Sequence, residues 1–265
     1  MEQAPFIPPG PDEEVIPEAT WRVFGSGHFF RLWIAQVLSS LGDWIGLLAI
    51  LAIANRVSQS NAAALSLVMV ARMLPGFLLA PVCGALVDRW DRKRVMVVCD
   101  LGRAAMLALL PFVDSLTGLV LASFALEVLT LFWGPAKDAS VPHLVPAEYL
   151  TGANSLSLIA AFGTFPLGAL VFASLAGLTE WLSGFDALAD VNRESLALLF
   201  DAGTFLASAL VIAGLPIRSN HGRVRPGVDW GQTWRDIKEG VRFIAGHELV
   251  RGVMIGLSGG SSVEG

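Results

Sequence analysis

The stretch Gly84-Ala85-Leu86-Val87-Asp88-Arg89-Trp90-Asp91-Arg92-Lys93-Arg94 decides the reading of this chain. It packs six charges into seven residues between two long apolar runs. A turn that short and that charged cannot be solvated by hydrocarbon, where every polar group needs a partner. It therefore marks a membrane surface and holds two spanning helices close together.

Working outward, apolar runs long enough to cross about 30 Å of hydrocarbon, roughly 20 residues each, fall at 29–54, 64–87, 95–113, 116–133, 156–178 and 196–215. A further run begins near Leu249 and breaks at Ser258-Gly259-Gly260, too short to span. The expected fold is an all-α polytopic membrane protein. Its parts are a disordered tail over 1–28, a six-helix bundle over 29–215, a loop over 216–248 and the start of a seventh helix over 249–265. Composition agrees: 54% of residues are hydrophobic and 15% charged, with a mean hydropathy of +0.62, whereas a soluble domain carries about 25% charged residues.

Lysines and arginines orient the bundle, because loops rich in them stay in the cytoplasm. With the N-terminus inside, the tail, the inner end of the first span at Arg31, the loops 88–94, 137–150 and 216–248 and the chain end hold 14 of the 18 basic residues. The other side holds Arg56 and Arg193, and Arg72 and Arg103 lie within spans. The tail is Pro-rich and acidic and lacks the basic start and apolar core of a signal peptide. In the 216–248 loop, Trp230, Trp234, Ile237, Val241 and Ile244 recur at helical spacing, with Arg235, Asp236, Lys238, Glu239 and Arg242 filling much of the other face. That pattern predicts an amphipathic helix along the inner surface, read as a packed connector.

Several classes are excluded. No basic face dominates, so nucleic acid is not an expected partner. Cys83 and Cys99 sit in apolar context and read as free thiols; with no Cys/His cluster, no metal or cofactor is expected. His28, His143, His221 and His247 fall in loops or at membrane edges, away from any nucleophile arrangement, and no phosphate-cradling Gly-rich motif occurs. The chain does not read as an enzyme.

Charge inside a bilayer is costly and marks function by default. Asp43 lies in the first span, Arg72 in the second, Asp100 and Arg103 in the third, Glu127 in the fourth and Asp201 in the sixth. Asp100 and Arg103 share a helix face and can neutralise one another, favouring a structural ion pair. Asp43 and Glu127 have no basic residue three or four positions away. A carboxylate stripped of water and left unpaired holds a proton more readily, as a proton-coupled carrier requires. The competing reading pairs them statically with Arg72. Asp201, about five residues from the outer end of its span, reads as a helix-end hydrogen-bonding group. Pro166, between Gly163 and Gly168, marks a bend or a packing adjustment in the fifth span.

Gly84, Leu86, Asp88, Arg89, Asp91, Arg92 and Lys93 resemble the signature loop between the second and third helices of the major facilitator superfamily, with Asp91 where the usual pattern has a second glycine. Gly42-Asp43-Trp44, the run from Phe132 to Lys137, Pro142-His143-Leu144-Val145-Pro146, Ala153-Asn154-Ser155-Leu156 and the run from Ile237 to Ile244 are similar to segments of the macrolide-efflux-like drug:proton antiporters. The fifth helix departs from the antiporter motif, with Phe165 before Pro166 and only Gly168 after it. The fourth helix offers Glu127 where many proton-coupled members carry an arginine. Family members have about twelve spans, so the chain resembles an N-terminal half, as a fragment or a truncated product.

The resemblance implies proton-coupled efflux of a drug-like amphipathic molecule from the bacterial inner membrane. Asp43, Arg72, Glu127, Asp100 and Arg103 would lie at a coupling cavity. Gly84, Asp88, Arg89, Arg92 and Lys93 would form a cytosolic gate, in which Gly84 allows tight helix contact and Asp88 faces a helix N-terminus. Implied partners are membrane lipid, a small-molecule substrate, protons, and a missing C-terminal half or a second copy. Uptake or facilitated passage within the same family, the membrane half of an ATP-driven exporter, and a non-transporting scaffold are the alternatives.

Overall fold

The computed structural model describes residues 23–87, 89–182 and 193–217. The chain divides into two units, Met1–His221 and Gly222–Gly265. The second unit lies outside the described residues, and with it most of the expected amphipathic helix and the start of the seventh helix.

Among the described residues there are helices and turns and no strand. We number the helices α1 (Gly27–Val57), α2 (Ala62–Val87), α3 (Arg92–Leu109), α4 (Leu116–Ser140), α5 (Leu150–Phe162), α6 (Phe165–Leu182) and α7 (Arg193–Ala213). They make six stretches long and apolar enough to cross a membrane, with α5 and α6 sharing the fifth. All six expected spans are present.

Local chemistry places the ends. Ser26 caps α1, accepting from the Phe29 N–H at 3.1 Å, while its hydroxyl donates to the Leu144 carbonyl and ties α1 to the turn after α4. Ser115 caps α4 through the Gly118 N–H at 3.1 Å. Between α1 and α2 the chain reverses through Gln59 and Ser60, both left-handed at φ 54° and 66°. The Asn61 side chain then accepts from the Ala63 N–H at 2.9 Å. Each cap satisfies an N–H that a helix start leaves orphaned.

The fifth span is two helices. The chain turns at Gly163-Thr164, and Pro166, second residue of α6, has no N–H to offer the carbonyl four residues back. The expected bend is thus a break. Just beyond it a Cβ on Gly168 would stand 2.8 Å from the Trp44 Cβ, so glycine there is what lets α6 lie against α1. Trp33, Gln36 and Trp44 of α1 donate to the carbonyls of Leu156 (2.8 Å), Ser157 (2.9 Å) and Ala161 (3.1 Å) of α5.

Helix α7 packs on α1 and α3, α2 packs on α4, and α3 on α4. The more enclosed spans are α1, α3 and α7. The core forms two apolar clusters. One gathers Ile45, Ile50, Val68, Leu107, Leu119, Leu198 and Phe205. The other, toward the basic turn, gathers Phe29, Leu32, Val87, Met96, Trp133 and Ile212. On α1, α3 and α4 the charged residues fall where one cluster gives way to the other.

Candidate functional site

The site grows from that boundary layer. Asp100 is fully buried and Arg103 is 1% exposed. They pair directly, one turn apart on α3. The second oxygen of Asp100 accepts from the Ser208 hydroxyl of α7 at 2.7 Å. The Arg103 guanidinium lies over the Phe205 ring at 4.2 Å and the Trp133 ring at 5.5 Å, where the ring faces attract a cation. It also donates to Thr130 at 3.4 Å. A buried pair survives when further bonds and packing offset its lost hydration, and this one has both. The expected structural pair on α3 is therefore formed, and it reaches beyond α3 as well.

Arg103 also reaches Asp43 of α1 at 3.5 Å. Asp43 meets Arg72 of α2 at 3.5 Å, and Arg72 meets Glu127 of α4 at 3.9 Å. All five residues expected from the sequence thus join one network across four helices. Its two ends differ. Asp43, Glu127 and Arg72 keep 28%, 22% and 16% of their side-chain surface, and their contacts are longer than the 2.7–3.2 Å of a well-made hydrogen bond. The Asp100–Arg103 end is sealed, whereas the Asp43–Arg72–Glu127 end is looser and partly exposed.

Sequence reasoning missed Asp201. It lies well inside α7, 1% exposed, not at a helix end as expected. It shares a crevice of about 10 Å³ with Asp43, Gly46, Arg72, Leu107, Leu126 and Phe205, room for about one water molecule. Gly42 and Gly46 make its place: a Cβ on either would run into the Asp201 carboxylate. The reason for the error is that helix position along the membrane says nothing about which neighbour a residue faces. The signal was present, since Asp201, Thr204 and Ser208 form a polar stripe on α7 at spacings of three and four. A larger open depression of about 740 Å³, between Leu51, Asn55, Leu65 and Met69, shares none of these residues.

At the basic turn, Arg92 donates to the Ala139 carbonyl at 2.7 Å and Lys93 to the Leu215 carbonyl at 2.8 Å. These are carbonyls at the ends of α4 and α7, where cations are favoured. Asp91, where the signature loop has glycine, caps α3 by accepting from the Arg94 N–H at 3.0 Å. Arg89 is exposed, and Asp88 lies outside the described residues. Among the described residues the tight contact expected at Gly84 is not made, since a Cβ there would meet nothing within 4 Å. The close helix approaches are at Gly42, Gly46 and Gly168 instead, because those glycines face the packed interior of the bundle.

Residues 18–189 match the family model described as transmembrane secretion effector, of the major facilitator type. The chain belongs to the major facilitator superfamily. This is a family of transporters, not of enzymes, and its members cross the membrane many times. The chain is 28% identical over 79% of its length to the uncharacterized MFS-type transporter YfiS of Bacillus subtilis, of which 47% is covered. It is 34% identical over 46% of its length to macrolide efflux protein A of Streptococcus pyogenes, covering 31% of that protein. The multidrug efflux pump Tap of Mycobacterium bovis is 29% identical over 59% of this chain and 41% of its own. The chain spans about half the length of the first two MFS-type relatives in Bacillus subtilis that it matches. No solved structure matches it.

Proposed function

We propose that the chain is the N-terminal six-helix part of a proton-coupled exporter of amphipathic, drug-like small molecules. The single observation carrying this reading is the open end of the network. Asp43 and Glu127 share one guanidinium, Arg72, through loose contacts at 3.5 and 3.9 Å, deep between apolar clusters. A proton arriving at Asp43 cancels its charge and weakens its hold on Arg72, which then turns to Glu127. That exchange is how protonation becomes helix movement. A second six-helix bundle, from the rest of a longer chain or from another copy, completes the substrate cavity near mid-membrane. The family resemblance to a macrolide efflux protein and a multidrug efflux pump supports export and the drug-like class.

The proposed setting is a bacterial inner membrane with the N-terminus and the basic turn in the cytoplasm. There Asp88, Arg89, Arg92 and Lys93 would control the inner gate, with Arg92 and Lys93 already holding the ends of α4 and α7. The test is proton-driven extrusion of a macrolide or a dye from vesicles carrying the complete transporter. Asp43→Asn should remove the dependence on a pH gradient. Extrusion by Asp43→Asn that still follows the gradient would refute the coupling role.

A further inference from the structure

The ion network is short of positive charge. Among the described residues that meet at this layer, four carboxylates (Asp43, Asp100, Glu127, Asp201) face two guanidiniums (Arg72, Arg103). An uncompensated ion in a low-dielectric interior is expelled or neutralised. Three of the acids lie within 4 Å of a guanidinium: Asp43 near both, Asp100 near Arg103, Glu127 near Arg72. Asp201 has no such ion pair, although it is 1% exposed. The Thr204 hydroxyl donates to its carboxyl group at 3.3 Å. Two glycines on α1 are spent on making room for it.

We propose that Asp201 is a second proton-binding site of this network, carried as the neutral acid, and that it exchanges its proton with Asp43 through the shared crevice. The role in coupling rests on the export reading above; the protonation itself does not. The charged groups around Asp201 are Asp43 from α1 and Arg72 from α2, which line the same crevice, and Arg103 from α3. In the exchange, the O–H bond of Asp201 breaks and its proton passes to the one water the crevice can hold. That water gives a proton to the Asp43 carboxylate, so one O–H bond is lost and one gained and net charge is unchanged. The negative charge then sits on Asp201, and Arg72 and Arg103 lose their hold on Asp43. A proton suits the place better than a metal ion, since among the described residues no three His, Cys, Asp or Glu side chains converge to hold one.

The test is infrared spectroscopy of the full chain reconstituted in lipid, following the carboxylic-acid C=O stretch. At neutral pH that absorbance should be present, lost in Asp201→Asn and retained in Asp43→Asn. An absorbance that survives Asp201→Asn, or that disappears with Asp43→Asn alone, overturns the proposal. So does a thermal stability that rises with sodium in the wild type and no longer does in Asp201→Asn, which would make Asp201 a cation ligand. An amide replaces a neutral acid without changing charge, so Asp201→Asn should melt within a few degrees of the wild type. A variant that fails to fold counts against a neutral Asp201. Efflux that ignores a proton gradient sinks the export reading separately and leaves the infrared result standing.

Discussion

Arg103 is the residue on which most of the buried chemistry turns. It neutralises Asp100, reaches Asp43 and lies against two aromatic rings. Removing one member of a buried pair leaves the other charged and stranded, at a cost of about 3–5 kcal/mol. Arg103→Met should lower thermal stability by that order. The double variant Arg103→Met/Asp100→Leu should recover much of the loss, a coupling that a double-mutant cycle in detergent would measure. Gly46 makes a second test at this scale. An added methyl there meets the Asp201 carboxylate, and overpacking of an interior costs about 1–3 kcal/mol. Gly46→Ala should therefore lower the melting temperature, whereas Gly84→Ala, with open space around it, should not.

At the scale of elements, the basic turn secures three helix ends at once. Asp91 starts α3, Arg92 finishes α4 and Lys93 finishes α7. Replacing a carboxylate cap by alanine costs about 1 kcal/mol, so Asp91→Ala should destabilise the bundle by roughly that much in a thermal melt. A glycine at the same position, as in the family pattern, should cost only a few tenths, because glycine is a tolerated cap. The α5/α6 break is the other element-level feature. Hydrogen bonds from Trp33, Gln36 and Trp44 hold α5 to α1, the last of them beside Asp43.

At the scale of the molecule, orientation is the claim with the widest reach. The orientation we propose from positive-inside asymmetry has the 58–61 turn outside and the 88–94 turn in the cytoplasm. A membrane-impermeant maleimide should label Gln59→Cys in intact cells and should label Trp90→Cys only after the cells are opened. The native Cys83 and Cys99 are buried and should give little background. Labelling of Trp90→Cys from outside would invert the topology and remove the cytosolic gate.

The six spans, their order, the charged turn and the meeting of Asp43, Arg72, Asp100, Arg103 and Glu127 in one ionic layer were legible in the linear chain. Each rests on a local or one-dimensional rule: the length of an apolar run, the cost of charge in lipid, the spacing of residues on a helix face. Asp201 as a network member, the glycines at 42 and 46 that admit it, the open space at Gly84 and the broken fifth span were decided only in three dimensions. The physical reason is that a helix sequence shows which residues share a face but not what that face meets. The pairing of α7 with α1 and α3 is a packing outcome summed over many side chains, and it brings the Asp201 carboxylate into the crevice that Asp43 and Arg72 line.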